Sequence, residues 1–91
     1  MKTKVTNMTS TNGNSIPNQF IIETEDYIFF QSYETVIARK RRTDGQIALD
    51  SNSWDYSKTT GKYRNIFLGE TKKETERKIK EGVYVLAPLN D

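Results

Sequence analysis

Four short runs rich in β-branched and aromatic side chains, paired across two turn signals, dominate the first half of the chain. In residues 19–32 the two runs are separated by Glu25-Asp26, and in residues 35–50 they are separated by Thr43-Asp44-Gly45. Such runs favour strands, and Asp-Gly favours a hairpin turn because glycine adopts a positive φ without strain. The sequence therefore predicts four antiparallel strands connected as a meander.

A helix signal follows near the end of the chain. Thr71 and Glu74 stand at capping-box spacing, in which the Thr hydroxyl accepts from the Glu amide and the Glu carboxylate accepts from the cap amide. Gly82 favours a helix end because it tolerates the left-handed conformation. We predict a helix near residues 71–81, followed by a last strand over residues 83–86.

Residues 54–69 are aromatic and polar, and their conformation is the hardest to predict. The simplest interpretation is a strand that carries Trp54 and Tyr56, followed by a turn at Thr60-Gly61. We expect Trp54 in the core, because a small domain needs its largest apolar side chain buried. The predicted fold class is α+β: a small antiparallel sheet in the order ββββ, aromatic connection, αβ, with one short helix packed on it.

In residues 1–18 the apolar residues follow neither the helical period nor the strand period, and the segment is rich in Thr, Ser and Asn. The whole chain has 20 residues of the types Leu, Ile, Val and Phe, and this segment contains only two of them, Val5 and Ile16. We therefore predict a flexible leader over residues 1–18, unstructured or ordered on a partner, and a single α+β domain over residues 19–91.

The chain contains neither cysteine nor histidine, which excludes disulfides, zinc fingers, cysteine nucleophiles and Ser-His triads. No apolar run reaches the ~18 residues of a membrane span, and the N-terminus lacks a signal-peptide core. We expect no cofactor, no metal site, no catalytic residues and no membrane contact. Glu70-Thr71-Lys72 with Asp55 has the acid-x-Lys form of some metal-dependent nucleases, but a helix start explains it equally, so an enzyme is the least favoured alternative.

Positive charge is concentrated in the middle of the chain, although the net charge is only +2. Arg39, Lys40, Arg41 and Arg42 stand at one end of the second predicted hairpin. A basic ribbon suits phosphate contact, but strand residues alternate faces, so only half of the four reach one surface. Solvation with protection of an edge strand, contact with phosphates, and contact with an acidic patch of a protein partner are the three alternatives.

A second group of candidate binding residues combines rings with cations, as surfaces that bind single-stranded nucleic acid do. Its members are Tyr56, Lys58, Lys62, Tyr63 and Arg64. The alternative is that these side chains simply cover a thin core.

Several motifs that combine aromatic, polar and glycine residues occur at a specific spacing. They are Phe30-Gln31-Ser32-Tyr33, Val36-Ile37-Ala38, Trp54-Asp55-Tyr56-Ser57, residues 59–65, 67–69 and 72–76, Ile79 and Gly82. With these motifs, residues 19–90 resemble small proteins of unknown function encoded by phages and prophages of low-GC Gram-positive bacteria. The resemblance implies no mechanism. It implies fewer basic residues than this chain has at positions 39–42, so a function of those residues would be particular to this chain.

Two function hypotheses follow, of which the first is a non-enzymatic phage protein that inhibits a host defence system through protein contact. Its target would be a CRISPR or restriction nuclease in the cytoplasm of the bacterial host. The net charge of +2 argues against imitation of DNA, which needs a dense acidic face. The alternative is an accessory protein that binds nucleic acid through residues 39–42 and 56–64. The oligomeric state is open, and a dimer through a sheet edge is one possibility.

Overall fold

A six-stranded sheet and two helices account for most of residues 3–90, the part of the chain that the computed structural model describes. The elements in chain order are β1 (Lys4–Thr9), β2 (Ser15–Glu23), β3 (Tyr27–Ser32), β4 (Thr35–Arg41), β5 (Ile47–Asp50), α1 (Lys58–Leu68), α2 (Lys72–Lys80) and β6 (Val85–Ala87). The strands lie side by side in chain order, and all neighbours are antiparallel except β5 and β6, which are parallel. None of the helices in residues 3–90 is long and apolar enough to cross a membrane.

The structure confirms the α+β class and both predicted hairpins. β2 pairs with β3 across Glu25-Asp26, and β4 pairs with β5 across the turn that contains Gly45. Gly45 has a φ of +74°, the region for which glycine was expected there. These hairpins were predictable because each depends on side chains and turn residues that are close in sequence.

The structure differs from the predicted flexible leader. Residues 4–9 and 15–23 form an antiparallel pair, with a turn in which Gly13 has a φ of +84°. Met8 is 7% exposed and belongs to the hydrophobic core. A count of Leu, Ile, Val and Phe omits this methionine, and the polar side chains of the segment are tolerated because β1 is an edge strand with solvent on one side.

The interpretation of residues 54–69 as a strand and a turn is wrong, because residues 58–68 form helix α1. Ser57 caps this helix by accepting from the Thr60 amide at 3.1 Å, and Gly69 ends it with a φ of +70°. The Thr60 hydroxyl also lies 3.1 Å from that of Ser32, which ties α1 to β3. Helix propensity is low at Thr59, Thr60 and Gly61, so packing rather than propensity explains this helix.

Helix α2 begins as predicted. The Thr71 hydroxyl accepts from the Glu74 amide at 3.3 Å, and the Thr71 amide donates to the Glu74 carboxylate at 3.0 Å. The Thr71 amide and the Thr71 hydroxyl both donate to the Glu74 carboxylate, and these two hydrogen bonds hold the pKa of the Glu74 carboxyl below its usual value. Gly82 follows the helix with a φ of +78°, again as predicted.

Replacement of Thr71 by alanine is expected to lower the free energy of unfolding by ~1 kcal/mol, because it removes the hydroxyl that accepts from the Glu74 amide and donates to the Glu74 carboxylate. Chemical denaturation measures the change. Thr59→Ala is the matched control, since Thr59 is an exposed threonine in the first turn of α1. Equal stability of the two variants would contradict the role of the capping box.

The chain reaches β6 from β5 through both helices, and this route decides which face of the sheet is covered. Two parallel neighbours cannot be joined by a tight turn, so the connection must cross over one face. The buried core lies on that face and consists of Met8, Phe30, Ile37, Ala38, Leu49 and Tyr84. The Phe30 ring stacks on Phe67 of α1, with 5.8 Å between ring centroids. Trp54 packs against this core but is only partly buried.

Candidate functional site

The face of the sheet away from the helices carries a continuous row of mostly apolar side chains, one from each strand. The register places these residues side by side in the order Val5, Ile22, Phe29, Arg39, Ala48 and Val85. The adjacent row of the sheet contains Phe30, whose ring stacks on Phe67 of α1. Successive residues of a strand point to opposite faces, so the row from Val5 to Val85 points away from the helices. We call this side of the sheet the open face.

Aromatic rings and arginine lie together on the open face. The Arg39 guanidinium lies over the Tyr27 ring, 4.8 Å from its centroid, and the Tyr27 and Phe29 centroids are 5.7 Å apart. Phe20 lies on the same face, one row further along the sheet. At the two ends of the row, Val5 is 59% exposed and Val85 is 47% exposed. The row itself contains no Lys, Asp or Glu, and aromatic residues together with Arg are typical of the centre of a protein interface. Asp50, which strand alternation places on the same face, is buried.

The basic run splits between the two faces, as strand alternation predicted. Arg39 pairs with Phe29 on the open face, whereas Lys40 pairs with Ile28 and Ile47 on the helix side. The edge-protection interpretation is wrong, because β4 lies between β3 and β5 rather than at an edge.

Two of these cations are also engaged by neighbouring groups. Arg41 donates to the Asp44 carboxylate at 2.9 Å, and this hydrogen bond lowers the pKa of Asp44. Arg42 donates to the Thr24 carbonyl at 2.9 Å and lies 3.5 Å from a Glu23 oxygen. The ribbon therefore does not present four free cations to one partner.

The second predicted group is brought together only in part. Four of its residues line a cleft of about 450 Å³ at the start of α1, together with Asp55 and Lys72, and these four are Tyr56, Lys58, Lys62 and Arg64. Tyr63 is not among the cleft residues; it packs against the core and, with Ile16 and Ile66, lines a separate cavity of about 360 Å³. The cleft lies on the helix side of the sheet, so residues 39–42 and 56–64 do not form one surface.

Arg64 is the least expected member of this cleft, because its side chain is only 1% exposed. It donates to the Trp54 carbonyl at 2.7 Å, to Asp55 at 3.1 Å and to the Asn65 side chain at 3.0 Å. Burial would raise the pKa of the Asp55 carboxyl, but hydrogen bonds from Lys72 and Arg64 outweigh it and lower that pKa. The sequence offers no signal that distinguishes this buried arginine from an exposed one.

Glu70 anchors the start of α2 to the chain beyond it, a role that sequence reasoning missed. Its side chain is 4% exposed and accepts from Lys78 at 2.7 Å, from the Tyr84 hydroxyl at 2.7 Å and from the Thr75 hydroxyl at 2.6 Å. Burial would raise the pKa of this carboxyl, but the three hydrogen bonds lower it below its usual value. Burial together with Glu70 raises the pKa of Tyr84.

Comparison with known families gives one match. The model of a family of unknown function, DUF8033, matches residues 3–82. The chain belongs to this family. The matched region includes both β1 and β2, which agrees with the observation that these residues are part of the folded sheet. No curated protein and no solved structure matched.

The DUF8033 family description states no activity, so function must be argued from the geometry. Within residues 3–90 there is no group of three or more acidic side chains placed to hold a metal ion. Asp55 and Glu70, the two acids of the nuclease alternative, instead accept hydrogen bonds from Arg64, Lys72 and Lys78. Both carboxylates therefore have structural partners that account for them.

Proposed function

We propose that this protein is a non-enzymatic binding module that contacts a partner protein through the open face. The observation that carries the proposal is the cross-sheet row from Val5 to Val85, which runs over all six strands with no helix packed on it. Within the row Val5 and Val85 are exposed, Ile22, Phe29 and Arg39 are partly exposed, and Ala48 is buried. Apolar side chains grouped in this way on a small domain favour an interaction site.

The chemistry of the open face favours a protein partner over nucleic acid. Arg41 is paired with Asp44, and Arg39, which lies over Tyr27, is the one cation of the row, so this face offers few cations for phosphates. Phe29 stands near the centre of the row, flanked by Ile22 and Arg39. A central aromatic ring surrounded by apolar and arginine side chains is the usual arrangement of an interface hot spot.

The proposal has a finer form, in which the protein is encoded by a phage and its partner is a host defence nuclease. The motifs at residues 54–82 support it through their likeness to phage and prophage proteins. The net charge of +2 supports inhibition by contact rather than by imitation of DNA. Assay of the captured partner's nuclease activity, with and without this protein, tests this form separately.

The test of the binding role is affinity capture from nuclease-treated host lysate with a tagged protein. We expect the wild type to capture a defined protein, and Phe29→Lys and Val85→Lys to lose it, because each places a charge in the apolar row. Ile66→Lys is the matched control, since Ile66 is 56% exposed on α1, away from the open face. Thermal melting of each variant establishes that the fold is intact.

Two results would contradict the proposal. One is capture that is equal in the wild type, in both open-face variants and in the control. The other is a captured partner that disappears when the lysate is digested with nuclease, which would favour a nucleic-acid-mediated contact.

A further inference from the structure

The cleft at the start of α1 carries positive charge that its own acid does not neutralise. Asp55 is the single acid among the residues that line it. Its two carboxylate oxygens are occupied, one by Arg64 at 3.1 Å and the other by Lys72 at 2.7 Å. Lys58 and Lys62 form no ion pair with any acid in residues 3–90. Two exposed lysines without counterions thus line this cleft. Lys62 also lines the neighbouring cavity, and its ammonium lies 5.3 Å from the centroid of the Tyr63 ring.

The positions of these lysines run against the usual preferences of a helix. The first turn of a helix favours acids, because the helix dipole is positive there, and like charges four residues apart repel each other. α1 has no acid in its first turn and instead carries Lys58 at its start and Lys62 one turn later. Residues that are unfavourable for the local secondary structure are expected at functional sites.

A buried donor provides a second and independent observation. Arg64 lines the cleft, is 1% exposed, and its Nε has no hydrogen-bond partner in the described part of the chain. Buried N–H groups without an acceptor are rare in folded proteins and call for an explanation. Gly61 packs beside this side chain, and a Cβ there would lie at an ordinary contact distance of 3.6 Å from Nη2 of Arg64. The cleft wall is thus built around an arginine whose bonding is incomplete.

We propose that this cleft binds a phosphate ester that carries a planar ring, the chemistry shared by a free nucleotide and the 5′ end of a nucleic acid. Lys58 and Lys62 contact the phosphate oxygens, with Arg64 behind them, and the ring stacks on Tyr56, which lines the cleft and is 52% exposed. The volume of about 450 Å³ suits such a ligand. The site lies on the helix side of the sheet and is independent of the open face.

The experiment is isothermal titration calorimetry of the wild type with four probes. These are adenosine 5′-monophosphate, adenosine, and a short oligothymidylate with and without a 5′-phosphate. We expect binding only of the two probes that carry a 5′-phosphate monoester, since the internal phosphodiesters are common to both forms of the oligothymidylate. The affinity of the oligonucleotide should weaken with salt, with a log–log slope of about 0.7 for each phosphate contact. Tighter binding of the phosphorylated oligonucleotide than of the mononucleotide would identify nucleic acid as the source, and the reverse order would identify a free nucleotide.

Matched variants assign the binding to the cleft. Lys58→Gln with Lys62→Gln is expected to lower the affinity about tenfold or more, and Tyr56→Ala to lower it for ring-bearing phosphates. Lys73→Gln with Lys80→Gln, which removes two exposed lysines of α2 outside the cleft, should leave the affinity unchanged. No binding of any phosphorylated probe to the wild type, or an equal loss in both double variants, would overturn the proposal. Neither result bears on capture through the open face.

Discussion

Replacement of Arg64 by methionine is expected to lower the free energy of unfolding by about 3 kcal/mol, since it removes a buried cation with several hydrogen bonds. The guanidinium bonds the Trp54 carbonyl, Asp55 and the Asn65 side chain, and it also lies over the Trp54 ring at 5.1 Å. Without it the Trp54 carbonyl loses the donor that lies 2.7 Å away. Methionine fills much of the volume of the arginine side chain, so the loss of stability reports the lost hydrogen bonds more than a cavity.

Urea denaturation of the purified variant measures this change, and a thermal melt should show a matching fall, at about 4–8 °C per kcal/mol for a domain of this size. Arg77→Met is the control, because Arg77 is 56% exposed and pairs only with Glu81 on the surface of α2. A loss below about 1 kcal/mol at position 64, or an equal loss at position 77, would show that Arg64 does not hold the 54–65 region together.

Replacement of Glu70 by glutamine is expected to cost about 2 kcal/mol at neutral pH, since an amide cannot satisfy the donors that converge on the carboxylate. Lys78 and Tyr84 both donate to one oxygen, and Thr75 donates to the other. In the variant, one of these oxygens becomes an NH₂ group that faces a donor. The contacts between the α2 start and Tyr84 of the core are weakened as a result.

The pH dependence of this cost has a definite sign. The folded protein lowers the pKa of Glu70 below its ordinary value of 4.5, so the stabilising contribution is present above pH 4.5 and is lost as the pH falls through the folded-state pKa. The difference in unfolding free energy between the wild type and Glu70→Gln should therefore shrink in acid. Glu76→Gln, an exposed change on the same helix, is the matched control and should cost little at neutral pH. A difference that is constant from neutral pH to strong acid would contradict the assignment.

The elements that the sequence predicted correctly are those decided by residues close in the chain. The turn at Asp44-Gly45 and the capping box from Thr71 to Glu74 each place their partners within a few residues, so local chemistry specifies them. Helix α1 was missed for the opposite reason. Thr59, Thr60 and Gly61 disfavour a helix locally, and the contacts that favour it, such as the hydroxyl of Ser32, come from distant strands.

The candidate binding residues likewise include some whose placement follows from local geometry and some whose placement depends on distant contacts. Alternation within β4 correctly separated Arg39 from Lys40, because it follows from strand geometry alone. The helices cover one face of the sheet because they connect β5 to the parallel strand β6. No local sequence pattern shows which face that is. The burial of Arg64 was equally out of reach, because it depends on Trp54 and Asp55 being folded back over α1.

Strand order that follows chain order has a consequence for synthesis on the ribosome. Each strand from β2 to β5 pairs with the one made just before it, so the sheet can extend as the chain emerges. The helices that cover Phe30, Ile37 and Leu49 are made only afterwards, and β6 is made last. A nascent chain that ends near Asp50 thus holds a partly formed sheet with both faces apolar and uncovered. This interval is when the protein is most exposed to aggregation and most dependent on rapid completion of translation or on chaperones.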